Sequence, residues 1–355
     1  MKNIIKVVFV ILGTLIGAGF ASGQEINLFF FSYGLKGILG IMISSVLMGI
    51  VIYKTLDILN KKEINTYKEF LDTLIISKKF NIKKLINSII NIFILITFFI
   101  MIAGFGAYIE QEYGLPSIVG SVILAILTFL IFMTSVKGVI KVNELIVPAL
   151  IIFITIIGFL NLKEINLHEL EHYVIRTNQT NYLLSGLLYC SYNSILLIPV
   201  LITLKNLIKN KKQIIAVSII TSIIIISLAL IIFLLLVRVN VDITKLEMPA
   251  VYVVSYWLKP LKNFYGIIIL GAIFTTAISL GISFLQNTSK NKKSYTHIAL
   301  IMCITSVIVS KFGFSNLIEL LYPIFGYLGL IQIIKLFFIR KQIIAKKKSI
   351  IFFMK

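Results

Sequence analysis

The sequence predicts an all-α integral membrane protein of ten transmembrane helices, built as two repeats of five. Three observations predict it: an apolar composition, recurring apolar runs about 20 residues long, and basic residues crowded into alternate connections. Of the 355 residues, 59% are hydrophobic and 14% are charged, against about 25% charged in a soluble domain. Mean hydropathy is +1.02. The formal net charge of +20 is no footprint of nucleic-acid binding, because the basic residues are 31 Lys and 3 Arg with no Arg-rich or aromatic-interleaved patch. Cys190 and Cys303 both fall in apolar segments, so no disulfide framework is expected.

The ten spans are placed at 4–31, 35–56, 85–109, 117–135, 142–160, 181–204, 213–237, 263–286, 296–310 and 315–339. The start, Met1-Lys2-Asn3 before a long apolar run, is read as a retained first span rather than a cleaved signal. With the N-terminus inside, 26 Lys and Arg fall on the inner side and 8 on the outer. The positive-inside rule then puts both termini in the cytoplasm.

A break is expected in the first span. Residues 13–25 read GTLIGAGFASGQE, with Gly13, Gly17, Gly19 and Gly23 among Thr14, Ser22, Gln24 and Glu25. Lipid offers no hydrogen-bond partner, so loosened backbone at that depth must line a protein-walled cavity. The sixth span shows a second such run, with Ser185, Gly186, Cys190, Ser191, Asn193 and Ser194 ahead of Pro199. The two halves, 4–160 and 181–339, each open on an interrupted segment, and each has its longest connection after its second helix, 54–84 inside and 238–262 outside. Five helices per half invert the second half in the membrane.

The first-helix string Gly13-Thr-Leu-Ile-Gly-Ala-Gly-Phe20 is similar to the first-helix signature of the amino acid–polyamine–organocation transporters. The fuller run to Glu25 resembles the YkvI-type bacterial membrane proteins of that superfamily. The resemblance implies a LeuT-type fold, a 5+5 inverted repeat with helices 1 and 6 broken, in a single transporter domain over 1–355 with a basic cytoplasmic tail at 340–355. It implies a bacterial plasma-membrane protein that is not an enzyme, and no cofactor beyond Na+ as coupling ion. Its partners are then a small-molecule solute, a monovalent cation and the lipid bilayer, with no nucleic acid. Protein partners are left open.

The resemblance also implies a sodium site between the first and eighth helices, from the carbonyls of Gly13, Ile16 and Ala272 and the hydroxyls of Thr275 and Thr276 in Ala272-Ile-Phe-Thr-Thr276. The alternative for the threonines is hydrogen bonding to their own helix. Substrate is placed between the two breaks. Free N–H groups around Ala18, Gly19, Phe20, Ser22 and Gly23, and on the sixth helix near Tyr189 and Ser191, would suit a carboxylate. Tyr192 and Asn193 complete the wall, with Gly104 and Tyr108 of the third span. Gly104-Phe-Gly106 reads equally as a tight helix-packing motif. Glu25 and Glu319 are candidates for gating or proton coupling, since ionisable groups at membrane depth are costly. Each could instead lie near enough to the interface to stay solvated.

Three further segments carry meaning. His168-Glu-Leu-Glu-His172 matches the zinc-protease spacing, but it lies in an outer connection without a third ligand. Residues 65–74 suit an amphipathic helix on the inner surface. Residues 249–258, with Trp257, Tyr252 and Tyr256, suit either a lid over the outer vestibule or an interfacial anchor. The expected activity is secondary transport of a small amino-acid-like solute, sodium-coupled with protons as the alternative. The rival is a non-transporting amino-acid sensor resembling the permease-like subunits of spore germinant receptors.

Overall fold

The computed structural model describes residues 2–74, 80–133, 139–161, 181–208, 210–239 and 241–353. The zinc-protease-like run at 168–172 lies outside the described residues. The described residues form helices without a strand. That follows from the solvent: in hydrocarbon a helix satisfies its own backbone, and an open sheet edge cannot.

The first span is three pieces: α1 (Lys2–Leu15), α2 (Ala18–Ala21) and α3 (Gln24–Phe29). After them come α4 (Lys36–Lys62), α5 (Tyr67–Leu74), α6 (Phe80–Tyr113), α7 (Ser117–Met133) and α8 (Val139–Asn161). The second half holds α9 (Tyr182–Leu204), α10 (Lys211–Leu236), α11 (Pro249–Trp257), α12 (Lys262–Thr288), α13 (Lys292–Ser310) and α14 (Phe314–Phe353). Among the described residues, seven helices are long and apolar enough to cross a membrane, and three shorter apolar helices lie at Asn3–Leu15, Ser117–Met133 and Ile146–Asn161.

One expectation is corrected. The sixth span is not broken: α9 runs unbroken from Tyr182 to Leu204, with Pro199 inside it. Its polar residues satisfy themselves along the helix instead of marking a break. Ser191 donates to the Leu187 carbonyl at 2.7 Å, Ser194 to Ser191 at 2.7 Å, and the Asn193 amide to Tyr189 at 3.1 Å. Serine and asparagine can return their protons to the preceding turn, so a polar run alone does not loosen a helix. The N–H groups of Tyr189–Ser191 are therefore committed to the helix and offer no anion site.

α9 is the centre of the bundle, packed chiefly against α4 and α14. Lipid tails are as apolar as leucine, so close packing through small residues holds such helices together. A Cβ on Gly186 would lie 2.8 Å from the Gly40 carbonyl oxygen, and one on Gly326 2.9 Å from Leu188 Cβ. The outward faces carry Ile, Leu and Phe, such as Ile267, Ile301 and Phe338, as a lipid-facing surface requires.

Candidate functional site

The backbone opens twice in the first span. α1 closes with Ile16 N–H bonding the Leu12 carbonyl at 2.7 Å. Gly17 is then extended, with φ −91° and ψ −171°. After one turn of helix, Gly23 adopts a left-handed φ of +83° and starts α3. A β-carbon there would lie 3.1 Å from both Ala250 Cβ and Leu236 Cδ2, so two constraints demand glycine. The residues between are fully buried.

This geometry frees acceptors. The helical partners of the Gly13 and Ile16 carbonyls would be the N–H groups of Gly17 and Phe20, and neither bond is made. Both carbonyls belong to the expected sodium set. On α12, the Thr275 hydroxyl donates to the Gly271 and Ala272 carbonyls at 3.0 and 3.2 Å. That commits its proton within α12, and Thr276 is half-buried beside it. Gly13 is close to Val147 of α8, and Gly271 to Ile146. α12 reaches the break directly, where the Tyr265 hydroxyl donates to the Ala21 carbonyl at 2.5 Å.

The centre of the site is Glu25, 4% exposed. Its side chain folds back over the short helix α2. A Cβ on Gly19 would lie 2.9 Å from Glu25 Cγ, so the bare glycine admits the carboxylate. Glu25 Oε2 accepts a hydrogen bond from the Tyr192 hydroxyl. No cationic side chain among the described residues pairs with it. One residue earlier, Gln24 Oε1 is buried without a hydrogen-bond partner.

Aromatic rings wall the carboxylate. Phe29 stacks on Tyr192 with centroids 5.5 Å apart, and Tyr189 stands edge-on to Tyr192 at 5.4 Å. Tyr322 of α14 meets Tyr192 at 4.7 Å. Beside them Leu15, Ile16, Phe20, Ser44, Ser45, Tyr189 and Asn193 enclose a void no larger than a water molecule. The Ser45 hydroxyl there has no partner.

The structure therefore brings together Ala18, Gly19, Phe20, Glu25, Tyr189, Tyr192 and Asn193. Ser22 and Gly23 form the second bend, where the Ser22 hydroxyl donates to the Gly19 carbonyl at 3.1 Å. Other expected residues are used elsewhere. Gly104 is 2.9 Å from the Phe314 ring by its would-be Cβ, and the Tyr108 hydroxyl fills the space left by Gly266. The Ser191 carbonyl faces Gly329. Glu319 is half-buried near the start of α14, apart from the Glu25 cluster. Sequence reasoning did not find Phe29, Tyr265 or Tyr322; the available signal was an aromatic among lipid-type residues, beside Pro323 in the last case.

Both ends of the bundle are latched. At one end, Ala250 N–H of α11 donates to the Ser22 carbonyl at 2.8 Å. Gln111 exchanges bonds of 3.0 Å with the Met248 carbonyl and N–H. Glu247 accepts from Ser315 N–H at 2.7 Å, and burial raises this carboxyl above its ordinary pKa despite that bond. Glu112 holds Lys262 at 3.0 Å and Ser255 at 2.7 Å. At the other end, the buried Lys205 ammonium donates to the Ile64 carbonyl and Asn65 Oδ1, each at 2.6 Å. Asn60 donates to the Ile208 carbonyl at 2.7 Å.

A polytopic α-helical bundle, with an irregular backbone buried at the depth of its own helices, defines this chain as a multi-pass membrane protein with an internal polar site. One relative is named as a membrane protein too. It is 29% identical over 334 residues to the uncharacterized membrane protein YkvI of Bacillus subtilis (strain 168), covering 92% of both chains. It is 26% identical over 330 residues to the uncharacterized protein YyaD of the same strain, covering 92% of this chain and 93% of the other. The YkvI-type resemblance read from the first helix thus extends along nearly the whole sequence. No protein-family model matches. Among solved structures, a substrate-bound, outward-open Na+-coupled sialic acid symporter aligns over 92% of this chain and 77% of its own. Its TM-score is 0.46 at 14% identity, a likeness too slight to transfer fold or function.

Proposed function

We propose that this protein is a secondary active transporter of a small amino-acid-like solute, working by alternating access in the bacterial plasma membrane. The single observation that carries the reading is the doubly broken first span, which places Glu25 and freed backbone acceptors in a buried, aromatic-walled centre. Backbone is left unpaired at that depth where it serves a ligand. Ten spans, with both termini cytoplasmic and repeats at about 4–160 and 181–339, supply the frame. The closed latches at both ends and the water-sized void support an occluded state. Alternating access then consists of releasing α11 and Ser22 on the outside, or Lys205 and the 64–65 segment on the inside.

Sodium is the proposed coupling ion, held by Gly13, Ile16, Ala272, Thr275 and Thr276. A proton carried by Glu25 is the alternative. Reconstituted into liposomes, the protein is expected to concentrate a labelled solute when a sodium gradient is imposed, and not under choline. Uptake driven by pH alone moves the coupling to protons. Binding without accumulation under either gradient sinks the transporter reading in favour of a sensor.

A further inference from the structure

A cavity of ≈ 120 Å³ lies between α5, α6, α9 and α14 and shares no lining residue with the void at the first-span break. Its wall is almost wholly apolar, with Leu71 and Leu74 from α5, Phe93 from α6, Ile195 from α9, and Phe325 and Leu328 from α14. Water finds too few partners there, and an apolar void left empty forfeits dispersion contacts along its lining. A cavity of roughly 150 Å³ with such a lining takes up benzene, so a few methylenes of a hydrocarbon chain fit this one. On α14 the lining positions Phe325, Leu328, Ile331, Gln332 and Lys335 recur at helical spacing and form one stripe. Lys335 stands 21 residues beyond Phe314, the first residue of α14, or roughly 32 Å along the axis. That matches the ~30 Å hydrocarbon core, so Lys335 falls at the headgroups and Phe325 about 15 Å deeper. Ile331, 56% exposed, opens the stripe to the lipid-facing surface. Lys335 is half-buried, and among the described residues it forms no ion pair. Next to it the Gln332 amide donates to the Tyr67 hydroxyl at 3.3 Å, tying α14 to α5.

We infer that this groove is a binding site for an anionic phospholipid, with one acyl chain in the cavity and the phosphate on Lys335. An apolar stripe that descends from a cation at headgroup level is complementary to such a lipid. The surrounding bilayer supplies hydrocarbon chains as apolar as the groove itself, so burial alone does not choose among lipids. The choice falls to charge, and a lysine near the surface favours a headgroup with net negative charge over a zwitterionic one. The α5 wall of the groove follows directly on residues 64 and 65, which hold the buried Lys205 ammonium. A bound chain thus packs against the helix that continues from the latch at that end. The site does not depend on the transporter reading, since it lies outside the first-span break.

The test is native mass spectrometry of the full-length protein, released from micelles that carry equal amounts of phosphatidylglycerol and phosphatidylethanolamine with matched chains. Phosphatidylglycerol is expected to be retained about fivefold over phosphatidylethanolamine, the preference that one lysine near the surface supplies. Lys335→Ala should bring the ratio close to one, whereas Lys212→Ala, which removes an exposed lysine at the same end of the bundle, should leave it unchanged. Phosphatidylglycerol with a diazirine in its acyl chain should crosslink to the peptide that holds Phe325 to Ile331. Leu328→Trp fills the cavity and should remove that crosslink. Should this variant fail to fold, the crosslinked peptide in wild type and the Lys335→Ala ratio still decide. Equal retention of the two lipids, a ratio unmoved by Lys335→Ala, or crosslinks confined to other helices each overturns the site. Displacement of phosphatidylglycerol by an equal amount of oleate overturns the phospholipid in favour of a free fatty acid.

Discussion

The backbone N–H of Ala250 donates a 2.8 Å hydrogen bond to the carbonyl of Ser22, tying the helix over one mouth of the bundle to the second bend of the first span. The bond joins residues 228 positions apart and reaches the acceptor that the bend itself exposes. Ala250, Val251 and Val254 of α11 are buried, while Tyr256 and Trp257 are exposed at its end.

Gly23→Ala tests that junction. Alanine at φ +83° costs about 1–2 kcal/mol in backbone strain alone, and its methyl would press Ala250 and Leu236 at 3.1 Å. A lowered unfolding midpoint is expected, with faster labelling of a cysteine placed at Ser22 by an impermeant thiol reagent. Unchanged labelling would separate the lid from the bend.

Glu25 and Tyr192 should be coupled. A protein hydrogen bond contributes about 0.5–1.5 kcal/mol net, and more when one partner is charged. Removing the tyrosine hydroxyl in a Glu25→Gln background is therefore expected to cost less than removing it in wild type. A double-mutant cycle on denaturant unfolding reads the difference. Strict additivity would mean that the two side chains do not act together.

Thr275→Ala with Thr276→Ala is expected to abolish a sodium-specific rise in the unfolding midpoint while leaving the midpoint in choline little changed. Thr275 already bonds its own helix, so its loss without sodium costs about 1 kcal/mol. Equal loss in both salts would make the pair structural only.

Glycine contacts predict opposite outcomes at two positions. Gly186→Val would drive a side chain into the Gly40 carbonyl, 2.8 Å from a bare Cβ, and cost about 1–3 kcal/mol by overpacking. Nothing lies within 4 Å of a Cβ on Gly17, so Gly17→Ala is expected to stay within about 0.5 kcal/mol of wild type in denaturant unfolding.

Acid should loosen the short helix α5. Glu69 is exposed, yet its carboxyl is held below the ordinary range, chiefly by the Asn65 N–H at 2.8 Å and by Thr66. The Thr66 hydroxyl in turn accepts from Glu69 N–H at 3.2 Å, a capping box. A depressed carboxyl pKa stabilises the folded state above the ordinary value, about 4.3, and the gain is lost as pH falls through the lowered one. Amide exchange across 65–74 is expected to accelerate in that acid window, and Glu69→Gln to remove the pH dependence.

By itself the sequence determined the class of protein, the apolar stretches that become helices, a break within residues 13–25, and Glu25 as a candidate functional group. Each is local: composition, helical length and residues that cannot face lipid. It misjudged α9, where serine and asparagine look alike whether they loosen a helix or bond back into it. It could not show that the Glu25 carboxylate folds over Gly19, or that Tyr322 from the last helix joins Tyr192. Those depend on distances between segments up to 297 residues apart, from Glu25 to Tyr322. Only packing decides them, because a hydrogen bond or ring contact carries no periodicity along the chain.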